Sequence, residues 1–261
     1  MPPQTIKKFS DLKKRISRFL YSKSFARDEI RLFIDKIKPL GDVVIIGGML
    51  RDLSILGNEG FKSDVDLVIL TDDTEKLERT LSGFEFDKNK FGGYRIKAGK
   101  WYVDLWPFNS TWAFHNGHVA GKDFKDLCKT TFFNWDGIIY EESSGTIHAI
   151  DGYIDFIHDR VLDINLEPNP NPMGNVIKVF RYYEKYDAVL MPRLVNYVHQ
   201  ILKDISCKDI FLYEKKSHEW PLLDMNRVQD IYNMIESHQK HSPGIPFKPM
   251  CVQRKLWQAD I

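Results

Sequence analysis

Near the start of the chain, apolar positions recur at the spacing of a helix. Residues 10–22 and 26–38 are expected to form two helices. In the second, Ile30, Phe33, Ile34 and Ile37 fall on one face with charged residues between them. The period then changes. Residues 43–46 (Val-Val-Ile-Ile) are a short continuous apolar run, as in a buried strand, and Gly47-Gly48 breaks it. A short helix is predicted over 49–56, ending at Gly57. Polar and apolar residues alternate over 64–70, which predicts a strand. A helix follows at 74–81, with 71–73 as its capping region. Further strands are expected at 84–87, 94–98 and 101–106, joined by turns containing Gly92-Gly93 and Gly99-Lys100. Residues 123–128 have helical character. Residues 137–141 and 146–150 read as a hairpin around Ser143-Ser144-Gly145.

The clearest linker is Pro168-Asn169-Pro170-Asn171-Pro172. Helices are expected after it at 176–186 and 194–205, then at 209–215 and 228–237, with little periodicity over 242–261. The expected fold class is α/β (α+β): a small mixed sheet flanked by helices, followed by an all-helical region. The expected division is residues 1–165 and 166–261.

Composition narrows the class. The 261 residues are 43% hydrophobic and 28% charged, which excludes a disordered or low-complexity chain. The apolar run 43–50 is far short of the roughly 20 residues of a membrane helix, and the charged start lacks the apolar stretch of a signal peptide. Three scattered cysteines offer neither a disulfide framework nor a zinc site. A cytoplasmic protein without a membrane partner is expected. The net charge of +1 conceals a gradient: residues 1–40 carry +7, 41–165 carry −8 and 166–261 carry +2. A basic arm beside an acidic centre suits a site holding divalent metal near a polyanion, although a solvated basic helix face explains the arm equally well.

Two features carry chemistry. Asp64 and Asp66 stand at i and i+2 of a predicted strand, so both carboxylates point to one face. So placed, they can share divalent cations, Mg²⁺ or Mn²⁺. The alternative is an exposed strand edge. Gly47-Gly48, between a strand and a helix, lets backbone N–H groups approach a phosphate with no Cβ in the way. The alternative is a tight turn. Arg51-Asp52 reads as a local ion pair fixing the helix, with Arg51 near the phosphates. The combination Gly-Gly-x-x-Arg-Asp, twelve residues, then Asp-x-Asp is far more specific than either part.

That combination, GGMLRD followed by DVD, resembles the catalytic head of DNA polymerase β-like nucleotidyltransferases. It is most similar to the branch of bacterial poly(A) polymerases and class II CCA-adding tRNA nucleotidyltransferases. Residues 90–96 (KFGGYRI) resemble the family's Phe-Gly strand entry. Residues 129–134 (KTTFFN) resemble its Arg-Arg-Asp-Phe-Thr-x-Asn motif, with Lys129 at the second Arg and Asn134 at the Asn. Residues 173–182 resemble the start of a helical neck, where Lys178 and Arg181 fit its spaced basic residues. The departures are Cys128 for the first Arg, Thr130 for Asp, no Asp-Pro before the neck and no Glu-Asp-x-x-Arg signature.

The resemblance implies nucleotidyl transfer from an NTP or dNTP to a hydroxyl, with release of pyrophosphate. Asp64 and Asp66 would bind metal, and Gly47 and Gly48 would cradle the β- and γ-phosphates. Lys129, Arg95 or Lys178 would neutralise pyrophosphate, and Asn134 would bond the sugar or base. For each of these four the alternative is an ordinary surface residue. In the wider superfamily a third carboxylate on a neighbouring strand holds the metal that activates the acceptor. Asp104 fits that position in kind; otherwise it is a strand aspartate paired with Lys100 or Arg95. Without tRNA-reading parts, the expected acceptor is another nucleotide. That would give a short oligonucleotide signal in a bacterial defence or stress system, with an effector protein as partner. The alternatives are template-independent addition to an RNA 3′ end, a protein hydroxyl as acceptor, and a catalytically silent nucleotide-binding protein.

Overall fold

The computed structural model describes residues 5–218 and 221–249. Residues up to Asp159, with Ile164–Pro168, form one compact unit. Arg160–Asp163 and residues from Asn169 onward form a second. Most of the stretch 242–261, where little periodicity is expected, lies outside the described residues.

The first unit opens with α1 (Phe9–Leu20) and α2 (Asp28–Ile37). Leu12, Ile16, Phe19 and Leu20 of α1, and Ile30, Phe33, Ile34 and Ile37 of α2, are buried, as their spacing requires. Then come β1 (Val43–Ile46), α3 (Gly48–Leu56), β2 (Val65–Ile69), α4 (Thr74–Leu81), β3 (Glu85–Lys88), β4 (Tyr94–Ala98) and β5 (Trp101–Pro107). A one-turn α5 (Trp112–His115) and a 3₁₀ stretch (Phe124–Lys129) precede the hairpin β6 (Ile138–Glu141) and β7 (Thr146–Ala149). The unit's last helix is α6 (Tyr153–His158), for which the sequence gives no expectation. Gly152 enters it with φ 74°.

The strands form one mixed seven-stranded sheet, ordered β3-β4-β5-β2-β1-β6-β7, in which only β2 and β5 pair in parallel. α2 packs on β4 and β5, and α3 on β1 and β2. The buried positions Tyr94, Ile96, Ala98, Val103 and Leu105 alternate with exposed or half-buried ones, so one sheet face meets helices. On the other face, Phe108, Leu127 and Cys128 cover Val44, Val68 and Ile139, with Ile46 and Trp106 at the margin. The remainder of that face carries the polar residues of β2, β4 and β5.

The second unit is helical: α7 (Pro172–Tyr186), α8 (Pro192–Leu202), α9 (Cys207–Ser217) and α10 (Met225–His241), plus a two-residue parallel pair, β8 (Val161–Leu162) with β9 (Val189–Leu190). α7 starts four residues earlier than periodicity suggests. Pro172 sits in its first turn and the Asn171 side chain accepts the Gly174 N–H, so the end of the linker is the helix cap. Among the described residues no helix is long and apolar enough to cross a membrane.

Candidate active site

The register of the sheet builds the site. Asp66 on β2 pairs with Asp104 on β5, and Asp104 pairs with Arg95 on β4. Residues paired across strands point to the same face, so three charged side chains stand in one row. Asp64, two residues before Asp66 and just outside β2, joins them, while Val65 between them is buried. Tyr102 and Trp106 share that face with Asp104, whereas Val103 and Leu105 point to the helices.

Arg95 ties the row together. Its Nη2 donates to Asp64 Oδ2 at 2.7 Å, and its Nη1 to Asp104 Oδ1 and Oδ2 at 3.2 and 3.1 Å. The guanidinium also lies 4.8 Å from the centre of the Tyr102 ring. Burial pushes the Asp104 carboxyl above its ordinary range; the Asp64 charge adds to this and Arg95 opposes it. Burial alone would lower the Arg95 guanidinium, but the hydrogen bond to Asp64 and the charge of Asp104 outweigh it and hold the group above its ordinary value. Asp104 stands beside Asp66 on the polar face and is paired with Arg95.

The diglycine adjoins this row. Gly47 takes φ 70°, ψ −121°, a backbone that L side chains rarely adopt, and its N–H donates to the Ile138 carbonyl. Gly48 opens α3. A Cβ on Gly48 would lie 3.9 Å from Asp66 Oδ2 and 3.5 Å from Arg51 Nη2. The α3 N-terminus is therefore in contact range of the Asp66 carboxylate.

Arg51 is behind the diglycine and buried. Its Nε donates to Asp52 Oδ1 at 2.8 Å, and its Nη1 donates to Asp136 Oδ1. The ion pair with Asp52 is the one expected. Asp136 is a residue that sequence reasoning missed. It closes the 3₁₀ turn Asn134–Asp136, immediately after the recognised motif, and a lone acidic residue there has no local signal. Asn134, expected to meet a nucleotide, opens the same turn and is buried, because the segment leading into β6 runs through the interior. Lys129 donates to Asp126 Oδ1 at 2.9 Å and is itself exposed. With that bond and the Lys122 N–H, the Asp126 carboxyl is held down at about 2. Lys178 and Arg181 lie on α7 in the second unit. Lys178 is exposed, and Arg181 is paired with the fully buried Glu214.

Among the described residues, no three His, Cys, Asp or Glu side chains stand in a ready-made metal cage. The donor set on the polar face is nonetheless all carboxylate oxygen, which suits Mg²⁺ or Mn²⁺. In the structure one cationic group, Arg95, already bridges two of its members.

No protein-family model matches the sequence, and no curated protein matches it. Solved structures do match the fold. One is a CCA-adding enzyme in its apo form (TM-score 0.61, 14% identity, 92% of this chain and 57% of that one). Another is the Thermotoga maritima CCA-adding enzyme complexed with tRNA (TM-score 0.62, 15% identity, 88% and 55%). A third is a tRNA nucleotidyltransferase complexed with a primer tRNA and an incoming ATP analogue (TM-score 0.55, 16% identity, 78% and 60%). The chain spans a little over half the length of these proteins. The mixed sheet, its flanking helices and its helical continuation are thus those of the nucleotidyltransferase fold that the CCA-adding and tRNA-processing enzymes share.

Proposed function

We propose that the chain is an enzyme that transfers a nucleoside monophosphate from a nucleoside triphosphate to a hydroxyl acceptor. The observation that carries this reading is the convergence of the diglycine turn on Asp66, which stands in register with Asp104 and beside Asp64. In the reaction the acceptor oxygen forms a bond to the α-phosphorus. The bond from that phosphorus to the β-phosphate oxygen breaks, pyrophosphate leaves and the hydroxyl proton goes to water. Such transfer depends on positioning and charge neutralisation, not on a covalent protein intermediate. The Gly47 and Gly48 backbone and the positive end of α3 would receive the triphosphate. Asp64, Asp66 and Asp104 would hold Mg²⁺ or Mn²⁺, which, when bound, neutralises the triphosphate and lowers the pKa of the acceptor hydroxyl. Arg95 would turn from the carboxylates toward pyrophosphate as its charge develops. Lys129 would add positive charge from the rim, and Asn134 would fix the turn holding Asp136. Residues 1–165 are read as the transferase head and 166–261 as a neck-like region, with Lys178 and Arg181 as its nucleotide contacts.

An RNA 3′ end is the acceptor we favour, because solved structures of this fold include complexes with tRNA and a primer tRNA. A short oligonucleotide signal acting on an effector protein, the outcome expected without tRNA-reading parts, is the second reading. The test is incubation of the chain with each labelled rNTP and dNTP plus Mg²⁺ or Mn²⁺, with and without RNA, followed by size analysis. Extended RNA supports tailing, short oligomers support the signal reading and labelled protein supports self-modification. Asp64→Ala and Asp66→Ala should each abolish product while the fold is kept. Near wild-type product from both would overturn the assignment.

A further inference from the structure

The helical side of the first unit carries a feature that the transfer reaction does not use. On α1, Lys14 and Arg18 are one turn apart, and Tyr21, the residue capping the helix, continues that stripe at i+7. Lys13, Lys14, Arg18 and Lys23 are exposed, and none has a carboxylate partner among the described residues. Arg15, by contrast, is used structurally, donating to the Leu53 and Ser54 carbonyls. Of the acidic residues on the two helices, Asp35 is paired with Arg31, Glu29 accepts the Lys100 N–H and Asp11 accepts the Lys7 N–H, which leaves Asp28.

Tyr21 and Phe25 are each 70% exposed, more than any other large apolar side chain among the described residues. Neither is simply loose. Phe25 (φ 56°) and Ala26 (φ 55°) both adopt the left-handed backbone, which is strained for residues with a Cβ. The Phe25 carbonyl is held by Trp101 Nε1 at 3.1 Å. The Arg27 guanidinium lies 4.9 Å from the Phe19 ring and 5.3 Å from the Phe25 ring, and Arg31 lies 5.4 Å from the Tyr21 ring. Each exposed ring is thus backed by an arginine and turned to solvent, beside cations with no counter-charge.

Rings fixed in this way and interleaved with free cations match the chemistry of a single strand, whose bases stack and whose phosphates are paired by lysine and arginine. We propose that Lys14, Arg18, Tyr21, Lys23 and Phe25 form a track for single-stranded nucleic acid, on the helical side of the unit rather than the Asp64–Asp104 face. The inference does not rest on the transfer reaction.

The test is fluorescence anisotropy of a labelled oligouridylate 12-mer with the full chain in EDTA, without nucleotide. Tyr21→Ala and Phe25→Gly should each weaken binding about tenfold; glycine is chosen because it takes the left-handed backbone without strain. Lys14→Gln with Arg18→Gln should lower the log–log salt slope by about 1.4. Melting curves of Tyr21→Ala and of the Lys14 and Arg18 variant should overlay on wild type, and Phe25→Gly should melt no lower than wild type. Asp64→Ala should bind as wild type does, which separates failure of this inference from failure of the transfer reading. Three results would overturn it: no binding of the 12-mer at low salt, equal binding of a duplex of the same length, or binding indifferent to Tyr21 and Phe25. The first would leave the surface to a protein partner.

Discussion

Arg51 decides between two roles that the sequence leaves open, a phosphate contact or a structural cation. Its guanidinium serves two carboxylates, Asp52 and Asp136, and the three residues are 8%, 3% and 9% exposed. Arg51→Met would keep the packing of the stem and take the shared cation away from both interior carboxylates. Removing one partner of a buried pair costs about 3–5 kcal/mol, and a cation shared by two anions belongs toward the upper end. In a chain of this size each kcal/mol shifts the melting temperature by about 2–4 °C, so a fall of about 6–20 °C is expected. Urea and thermal unfolding, followed by circular dichroism and by tryptophan fluorescence, to which the fully buried Trp135 contributes, would measure it. Arg51→Met combined with Asp136→Asn should recover part of the loss, because one interior charge is gone. A variant that melts within about 2 °C of wild type yet no longer transfers nucleotide would refute the structural role.

Three further outcomes are expected. Asp104→Asn should still bind nucleotide with Mn²⁺, read by equilibrium dialysis, because Asp64 and Asp66 remain, yet fail to transfer it; unchanged turnover would remove Asp104 from the reaction. Arg95→Met should bind Mn²⁺ alone several-fold more tightly, read by the free-Mn²⁺ resonance signal, because the cation that bridges Asp64 and Asp104 is gone; equal or weaker binding would show that Arg95 does not compete for those oxygens. Asp126→Asn should lose about 1 kcal/mol above pH 4, a figure discounted because its partner Lys129 is exposed. The Asp126 carboxyl is depressed on folding, so its contribution is present above the unfolded pKa and lost on acidification, and the gap to wild type should close between about pH 4 and pH 2.

How far the fold could be read follows from what each element depends on. The strand cores at 43–46 and 94–98, and the helix at 74–81 with its Asp73 cap, match their sequence signals residue for residue. Each is set by its own period or cap. α6 escapes a reading from sequence because its six residues are too few to show a helical stripe. β8 and β9 were missed because a two-residue strand has no alternation to detect, and it exists only where chain segments 28 residues apart meet. Lys129 and Asn134 show a different limit. A motif gives a residue's place in the chain, but the one is exposed and salt-bridged and the other buried, according to the path of the chain between the 3₁₀ stretch and β6.

The candidate site divides along the same line. Alternation alone places Asp64 and Asp66 on one face, and places Asp104 on the face opposite Val103 and Leu105. It does not say which strand lies beside which. The strand order β4-β5-β2 brings Arg95, Asp104 and Asp66 into one row, and β2 and β5, separated in sequence by β3 and β4, pair in parallel. A shift of one residue in the β2–β5 register would put Val65 or Leu67 opposite Asp104 and break the row. The buried faces forbid that shift: Val65, Leu67, Val103 and Leu105 are all fully buried on the helical side, and slippage would bring them out. The apolar half of each strand therefore holds the polar half in register. A substitution on the helical face, such as Leu105→Ala, would reach Asp104 through the sheet without touching any charged group.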